Sequence, residues 1–327
     1  VGMEYPMICF NFGRPDENDY YSDRTKFGMI GVIIHEVGHN FFPMIVNSDE
    51  RQWGWMDEGL NSFVQIIAEQ DFGKTHPDAI PGLDHYPSDD MDPQNIVRYM
   101  AGDQDFIAPI MSNPENVYQL GPNAYSKPAT ALNILRETVM GRELFDHAFK
   151  TFSQRWMFKH PTPEDFFRTM EDASAFDLDW FWRGWFFTTD VVDMGVTDVK
   201  DIKKLGDDKR YFSLYYKRSL ENLTPEELKN RKENKKFYEV VFEKPGGLVM
   251  PLIVEYKYAD GTSERKTYPA QVWRKNEKTI SKYIATDKEL VGVVVDPDNA
   301  TADINKDNNN WPKVIEENDF EKFKKQQ

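Results

Sequence analysis

Apolar positions recur at helical spacing over roughly the first 190 of this chain's 327 residues, and at strand spacing over most of the rest. Residues 5–12 form a short apolar and aromatic run that reads as a strand, and the polar stretch 11–23, with Gly13 and Pro15, reads as a loop. Residues 25–42 carry Met29, Ile30, Val32, Ile33, Ile34, Val37, Phe41 and Phe42. That predicts a helix apolar nearly all round, and so a buried one, with Pro43 at its end. Asp57 is placed to cap a second helix through Leu60, Phe63, Val64 and Ile67. Residues 72–122 are rich in proline, aspartate and glycine, with a helical piece near 93–100; they predict a long irregular excursion over the rim of a site. His76 and His85 lie in it and read as surface histidines. From 124 to 185 the helical pattern returns, with Thr162 as a cap before Pro163 and an aromatic run at 179–187 assigned to core packing.

Near residue 191 the period changes. Residues 237–243, 248–258, 265–268, 270–273, 282–285 and 291–295 read as strands, with a hairpin turn at Ala259-Asp260-Gly261-Thr262. Short strands at this spacing predict a small β-sandwich over 191–305. Residues 220–236 are charged, with a helical stretch at 224–232, and 306–327 form a polar tail with a helix after Pro312. The chain therefore reads as multi-domain, with a mainly α unit over 1–190, the β-sandwich, and the tail.

Composition narrows the partners. With 40 basic and 55 acidic residues the net charge is −15, which disfavours nucleic acid and anionic membranes and favours a cationic substrate end. Residues 28–46 are long enough to suggest a membrane span, but their polar centre and Pro43 argue against one. Cys9 is the single cysteine, so no intrachain disulfide can form, and it reads as a small buried hydrophobe. The chain opens on Val1, not an initiator methionine, and reads as a fragment lacking its amino-terminal part. Its compartment stays open between cytoplasmic and exported.

The chemistry is concentrated in His35-Glu36-Val37-Gly38-His39. Two histidines four residues apart share a helix face, because a helix turns in 3.6 residues. Both imidazoles can then reach one metal ion, with Glu36 beside them as general base. Eighteen residues separate His39 from Glu58, which can supply a third ligand from a later element. Burying two histidines and a carboxylate without partners would cost several kcal/mol, and a cation removes that objection. The pattern is that of a zinc-hydrolase site holding one Zn²⁺.

Three blocks together resemble the gluzincin zinc aminopeptidases, the family of aminopeptidase N and the leukotriene-epoxide hydrolase. They are the H-E-x-x-H with its distant glutamate, Gly2-Met3-Glu4, and Tyr125-Ser126-Lys127. The second is similar to the family's G-x-M-E-N exopeptidase segment and lies 33 residues before His35; the third is similar to its Y-x-K-G segment. The resemblance implies a thermolysin-like zinc-peptidase catalytic domain over 1–190, followed by the β-sandwich. It implies zinc ligation by His35, His39 and Glu58, and Glu36 as base and proton shuttle. It also implies that Gly2, Met3 and Glu4 form the substrate-binding segment, with Glu4 holding a free α-amine, and that Tyr125 donates to the oxyanion. Peptides with a free amino terminus follow as substrates. Tyr5 stands where the family has asparagine and Pro128 where it has glycine, and Tyr118 is the rival to Tyr125. A thermolysin-type endopeptidase and a non-catalytic peptidase-like scaffold are the competing readings.

Overall fold

The computed structural model describes residues 2–87, 92–201 and 236–313. The helical expectation at 224–232 and the helix after Pro312 lie outside them. The chain divides into two compact units: residues up to Val191 together with Ala300–Ile304, and Val192–Asn299 together with residues from Asn305 on.

The first unit is mainly helical. It opens with a hairpin, β1 (Met3–Tyr5) antiparallel to β2 (Ile8–Phe10), where a single strand over 5–12 was expected. Pro6 is the reason: it cannot donate to a ladder, and with Met7 at φ +68° it supplies the proline and positive-φ pair that a type II turn needs. Helix α1 (Asp23–Gly38) begins at Ser22, whose side-chain oxygen accepts from the Thr25 amide. It ends at Gly38, before Pro43. Burial differs from expectation, because α2 and the β1–β2 hairpin cover only one face, and Ile33 and Val37 stand exposed. Apolar residues all round a helix do not say which sides are covered.

Helix α2 (Leu60–Thr75) has no cap at Asp57. It continues from a π-helical turn, Trp55–Gly59, in which Asp57 is buried. A second π turn, Gly121–Ser126, runs into α4 (Lys127–Ile134), and a third, Leu135–Met140, follows it. Pro128 accounts for the second. Within an α-helix its ring would press on the carbonyl four residues back, and widening the preceding turn relieves that. The excursion between α2 and α4 contains α3 (Pro93–Met100) and is anchored by Tyr86, whose hydroxyl donates to the Phe27 carbonyl at 2.6 Å. Helices α5 (Arg142–Trp156), α6 (Pro163–Ser174) and α7 (Asp179–Phe187) complete the unit, α6 starting with a capping box between Thr162 and Asp165. Trp55, Phe63, Phe149, Phe166, Trp182 and Phe186 form one aromatic core, with Trp55 stacked on Phe167 at 5.8 Å. The π turn carrying Glu58 is thus clamped by its own Trp55.

Lys127, at the head of α4, is 1% exposed, and its Nζ donates to the Thr188 carbonyl at 3.4 Å. Burial pulls its pKa down from 10.5 to about 8, partly offset by Asp190. Below pH 8 the amine is charged both folded and unfolded, and folding bears the full desolvation cost, about 3 kcal/mol. Between pH 8 and 10.5 the unfolded chain holds a proton the folded one has lost, so stability rises with pH. Lys127→Met is therefore expected to raise stability by about 1–3 kcal/mol at pH 7, a gain that shrinks towards pH 10. Urea melts of both proteins at the two pH values check it, and a variant less stable than wild type at pH 7 contradicts it.

The second unit contains two antiparallel sheets. One has the order β3 (Gly195–Asp201), β4 (Lys236–Glu243), β7 (Thr279–Thr286). The other has the order β6 (Ser263–Tyr268), β5 (Leu252–Tyr258), β8 (Leu290–Val295), β9 (Asn310–Trp311). Alternate residues of β5 (Leu252, Val254, Tyr256, Tyr258) are buried, the period-2 pattern of a one-sided sheet. The strand expected at 270–273 is a 3₁₀ helix, Ala270–Arg274. Pro269 ends β6, and Ala270 and Trp273, three residues apart, both turn inward, with the Trp273 indole donating to the Met250 carbonyl at 3.0 Å.

Candidate active site

One turn of α1 puts His35 and His39 on the face that meets α2, with their Nε2 atoms 2.9 Å apart. Glu58 Oε2 lies 3.2 Å from the first and 3.4 Å from the second. Glu58 reaches this point from its π turn, which packs against the π turn of Tyr125. A Cβ on Gly59 would stand 2.6 Å from Pro128 Cγ and 2.9 Å from the Ala124 carbonyl oxygen, so only glycine lets the two turns touch.

Partner atoms fix the orientation of both rings. His35 Nδ1 is 2.7 Å from Gln65 Oε1, and His39 Nδ1 is 2.8 Å from the Phe42 carbonyl. Both oxygens can only accept, so each Nδ1 carries a hydrogen, and in the neutral ring Nε2 is the nitrogen that offers a lone pair. With both rings neutral, two lone pairs would face each other across 2.9 Å with a carboxylate oxygen beside them. That arrangement is repulsive by itself and attractive around a cation. His39 Nδ1 also lies 3.0 Å from Asp57 Oδ1, but that oxygen receives no aligned hydrogen bond, so the contact is one of charge. The electrostatics agree. Burial opposes charging His39, yet Asp57 and Glu58 outweigh it and raise its pKa to about 11, while His35 is raised despite burial by Glu58. The cluster calls for positive charge, and two imidazoles with one carboxylate are a donor set that suits Zn²⁺.

Glu36 is 4% exposed and its Oε2 has no hydrogen-bond partner. Desolvation raises its pKa, opposed by the two histidines. Gly2 lies against this carboxylate: a Cβ there would sit 1.9 Å from Glu36 Oε1. In β1 alternate residues face opposite ways. Glu4 turns inward, with a carboxylate oxygen within 4.8 Å of Glu36 and of the His39 ring, and Met3 points to solvent, 43% exposed. The structure therefore brings Gly2 against Glu36 and Glu4 to Glu36 and His39, and leaves the Met3 side chain outside.

The Tyr125 hydroxyl donates to Glu58 Oε1 at 2.5 Å, and its ring stacks on His35 at 6.0 Å. Burial, and then the Glu58 charge, push its pKa far above the ordinary tyrosine range, so it stays a donor. Tyr118 is exposed and packs on Phe106. Two further residues beside the site belong to no motif in the sequence. Gln65 holds His35, and Asn61 Nδ2 donates to the His35 carbonyl at 2.8 Å. Spacing could have found Gln65, which stands seven residues, or two helical turns, after Glu58. A cavity of about 670 Å³ opens beside the centre, with His35 and Tyr125 in its wall and Phe27, Val32, Ile66 and Tyr86 giving it an apolar lining.

Comparison with known proteins bears on this geometry. Residues 15–185 match the peptidase family M1 domain, a span that contains both histidines, Glu58 and Tyr125 but not the β1–β2 hairpin. Over 157 residues, 48% of this chain, the sequence is 23% identical to Endoplasmic reticulum aminopeptidase 1 of Homo sapiens, of which it spans 16%. In fold the chain is similar to Legionella pneumophila aminopeptidase A, whose crystal structure is a complex with aspartic acid. The TM-score is 0.52 at 15% identity, over 86% of this chain and 27% of that one.

Proposed function

The chain belongs to peptidase family M1, and on that premise we propose that it is the catalytic part of a zinc-dependent aminopeptidase, with a thermolysin-like domain followed by a β-sandwich. The observation that carries the proposal is the convergence of His35 Nε2, His39 Nε2 and Glu58 Oε2 within 2.9–3.4 Å of one another. These three residues would hold one zinc ion. When bound, zinc supplies a Lewis acid and lowers the pKa of a water ligand towards 7.

The remaining steps belong to the chain's own residues. Glu36, buried and with an oxygen free of hydrogen bonds, takes the proton of the attacking water and returns it to the leaving amine. Tyr125 holds its proton against Glu58 in the resting site and turns it towards the oxyanion as negative charge develops there. Glu4, on the inner face of β1, pairs with an α-ammonium, which places the first peptide bond beside Glu36 and restricts cleavage to the chain end. The apolar cavity beside His35 and Tyr125 accommodates a substrate side chain.

The test compares an aminoacyl anilide with the same compound acetylated on its amine. The free amine is expected to be hydrolysed and the blocked one not, and Glu4→Ala is expected to raise KM about tenfold or more while zinc content stays unchanged, as the loss of a charge-assisted pair implies. Equal hydrolysis of both compounds would make the protein an endopeptidase of the thermolysin kind. An unchanged KM in the variant removes Glu4 from amine binding.

A further inference from the structure

Beyond the metal ligands lies a chain of contacts that the proposed chemistry does not use. His35 Nδ1 donates to Gln65 Oε1 at 2.7 Å, and Gln65 Nε2 donates to Glu69 Oε1 at 2.8 Å and, weakly, to the Gly31 carbonyl at 3.4 Å. Gln65 and Glu69 are one turn apart on α2, and Glu69 is 2% exposed. From this geometry we infer that Glu69 is a positioning residue for the metal centre, acting through Gln65 to lock the His35 imidazole in the tautomer that offers Nε2 to zinc. The inference rests on the zinc reading given above.

Donors and acceptors decide the tautomer. A side-chain amide can turn half a revolution about its last bond and exchange its oxygen for its NH₂. Turned that way, Gln65 would offer a hydrogen to His35 Nδ1. The ring would then have to carry its own hydrogen on Nε2, where the metal belongs. Two acceptors oppose that rotation. The Gly31 carbonyl is one, but at 3.4 Å it holds little. The Glu69 carboxylate at 2.8 Å is the other, and its charge strengthens the bond. The same charge, passed through the amide, makes the imidazole a better electron donor, as a carboxylate in direct contact with a metal-bound histidine does. Glu69 can lie at this helix crossing because residue 31 is glycine: a Cβ there would stand 2.7 Å from Glu69 Oε1.

Zinc affinity, measured by competition with a chromophoric chelator, tests the relay without reference to turnover. Glu69→Met keeps the side chain's length and removes the acceptor, and is expected to bind zinc about 10- to 100-fold more weakly than wild type. The double variant Gln65→Glu/Glu69→Gln reverses the relay. It places a carboxylate on His35 Nδ1 and an amide behind it to donate, so its affinity is expected within about threefold of wild type. Gln65→Glu alone sets two carboxylates against each other and is expected to be as weak as Glu69→Met. Cobalt substitution gives a second readout, the ligand-field spectrum of the double variant matching wild type. Equal zinc affinity in Glu69→Met and wild type overturns the relay, as does a double variant no tighter than Gln65→Glu. The double variant decides the matter even if Glu69→Met does not fold. A wild-type chain that binds no zinc overturns instead the metal reading beneath it.

Discussion

Glu36→Gln is expected to lower kcat by about 10²–10⁴, the usual worth of a positioned general base, with zinc still bound. Glu36 is not among the three atoms that converge between α1 and the Trp55–Gly59 turn, so an amide in its place leaves the metal donors untouched. Its carboxylate is buried beside them with Oε2 lacking a partner, and burial makes it a stronger proton acceptor than an ordinary glutamate. Glutamine has nearly the same shape and cannot take the proton. Steady-state kinetics with metal analysis on the same sample check the result. A variant that hydrolyses an aminoacyl anilide at near wild-type rate while holding one zinc would remove Glu36 from proton transfer.

The second large effect concerns Tyr125. Tyr125→Phe removes one hydroxyl and is expected to cost about 10²–10³ in kcat, or roughly 2.7–4 kcal/mol of barrier, with KM little changed. Stability should move far less. The ring keeps its stacking on His35, and Glu58 loses one of the bonds that hold its pKa low. The structure also contains the alternative. The hydroxyl donates to Glu58 Oε1, so the tyrosine could serve only to orient a ligand. The two roles separate cleanly. An orienting tyrosine would show its loss in zinc affinity, and an oxyanion donor would show it in kcat with affinity preserved. A variant with weakened zinc binding and unchanged kcat at saturating zinc would assign Tyr125 to the ligand shell.

Much of this site was legible in the sequence because its logic is local. The four-residue step from His35 to His39 fixes a common helix face whatever surrounds it, and Glu58 follows by number. Glu4 and Tyr125 came only through resemblance, since no periodicity marks them. Two kinds of feature stayed hidden. The π turns at Trp55–Gly59 and Gly121–Ser126 set the directions of Glu58 and Tyr125, yet a widened turn has no apolar signature and depends on tertiary contacts such as Gly59 against Pro128. The partners behind the ligands, Gln65 and Glu69, read as ordinary polar positions of a helix until α1 is laid against α2. The same limit governs burial and short elements. Ile33 and Val37 look like core from the pattern alone, and residues 270–273 look like a strand because four residues cannot distinguish a period of two from one of three.

One zinc ion held between α1 and the Trp55–Gly59 turn is the central claim, and a crystal structure of the chain grown with zinc tests it most directly. The expected result is a single tetrahedral ion within about 2.0–2.2 Å of His35 Nε2, His39 Nε2 and Glu58 Oε2, its fourth position open to water or substrate. An ion bound elsewhere, or imidazoles turned so that Nε2 carries hydrogen and faces away from Glu58, would contradict it.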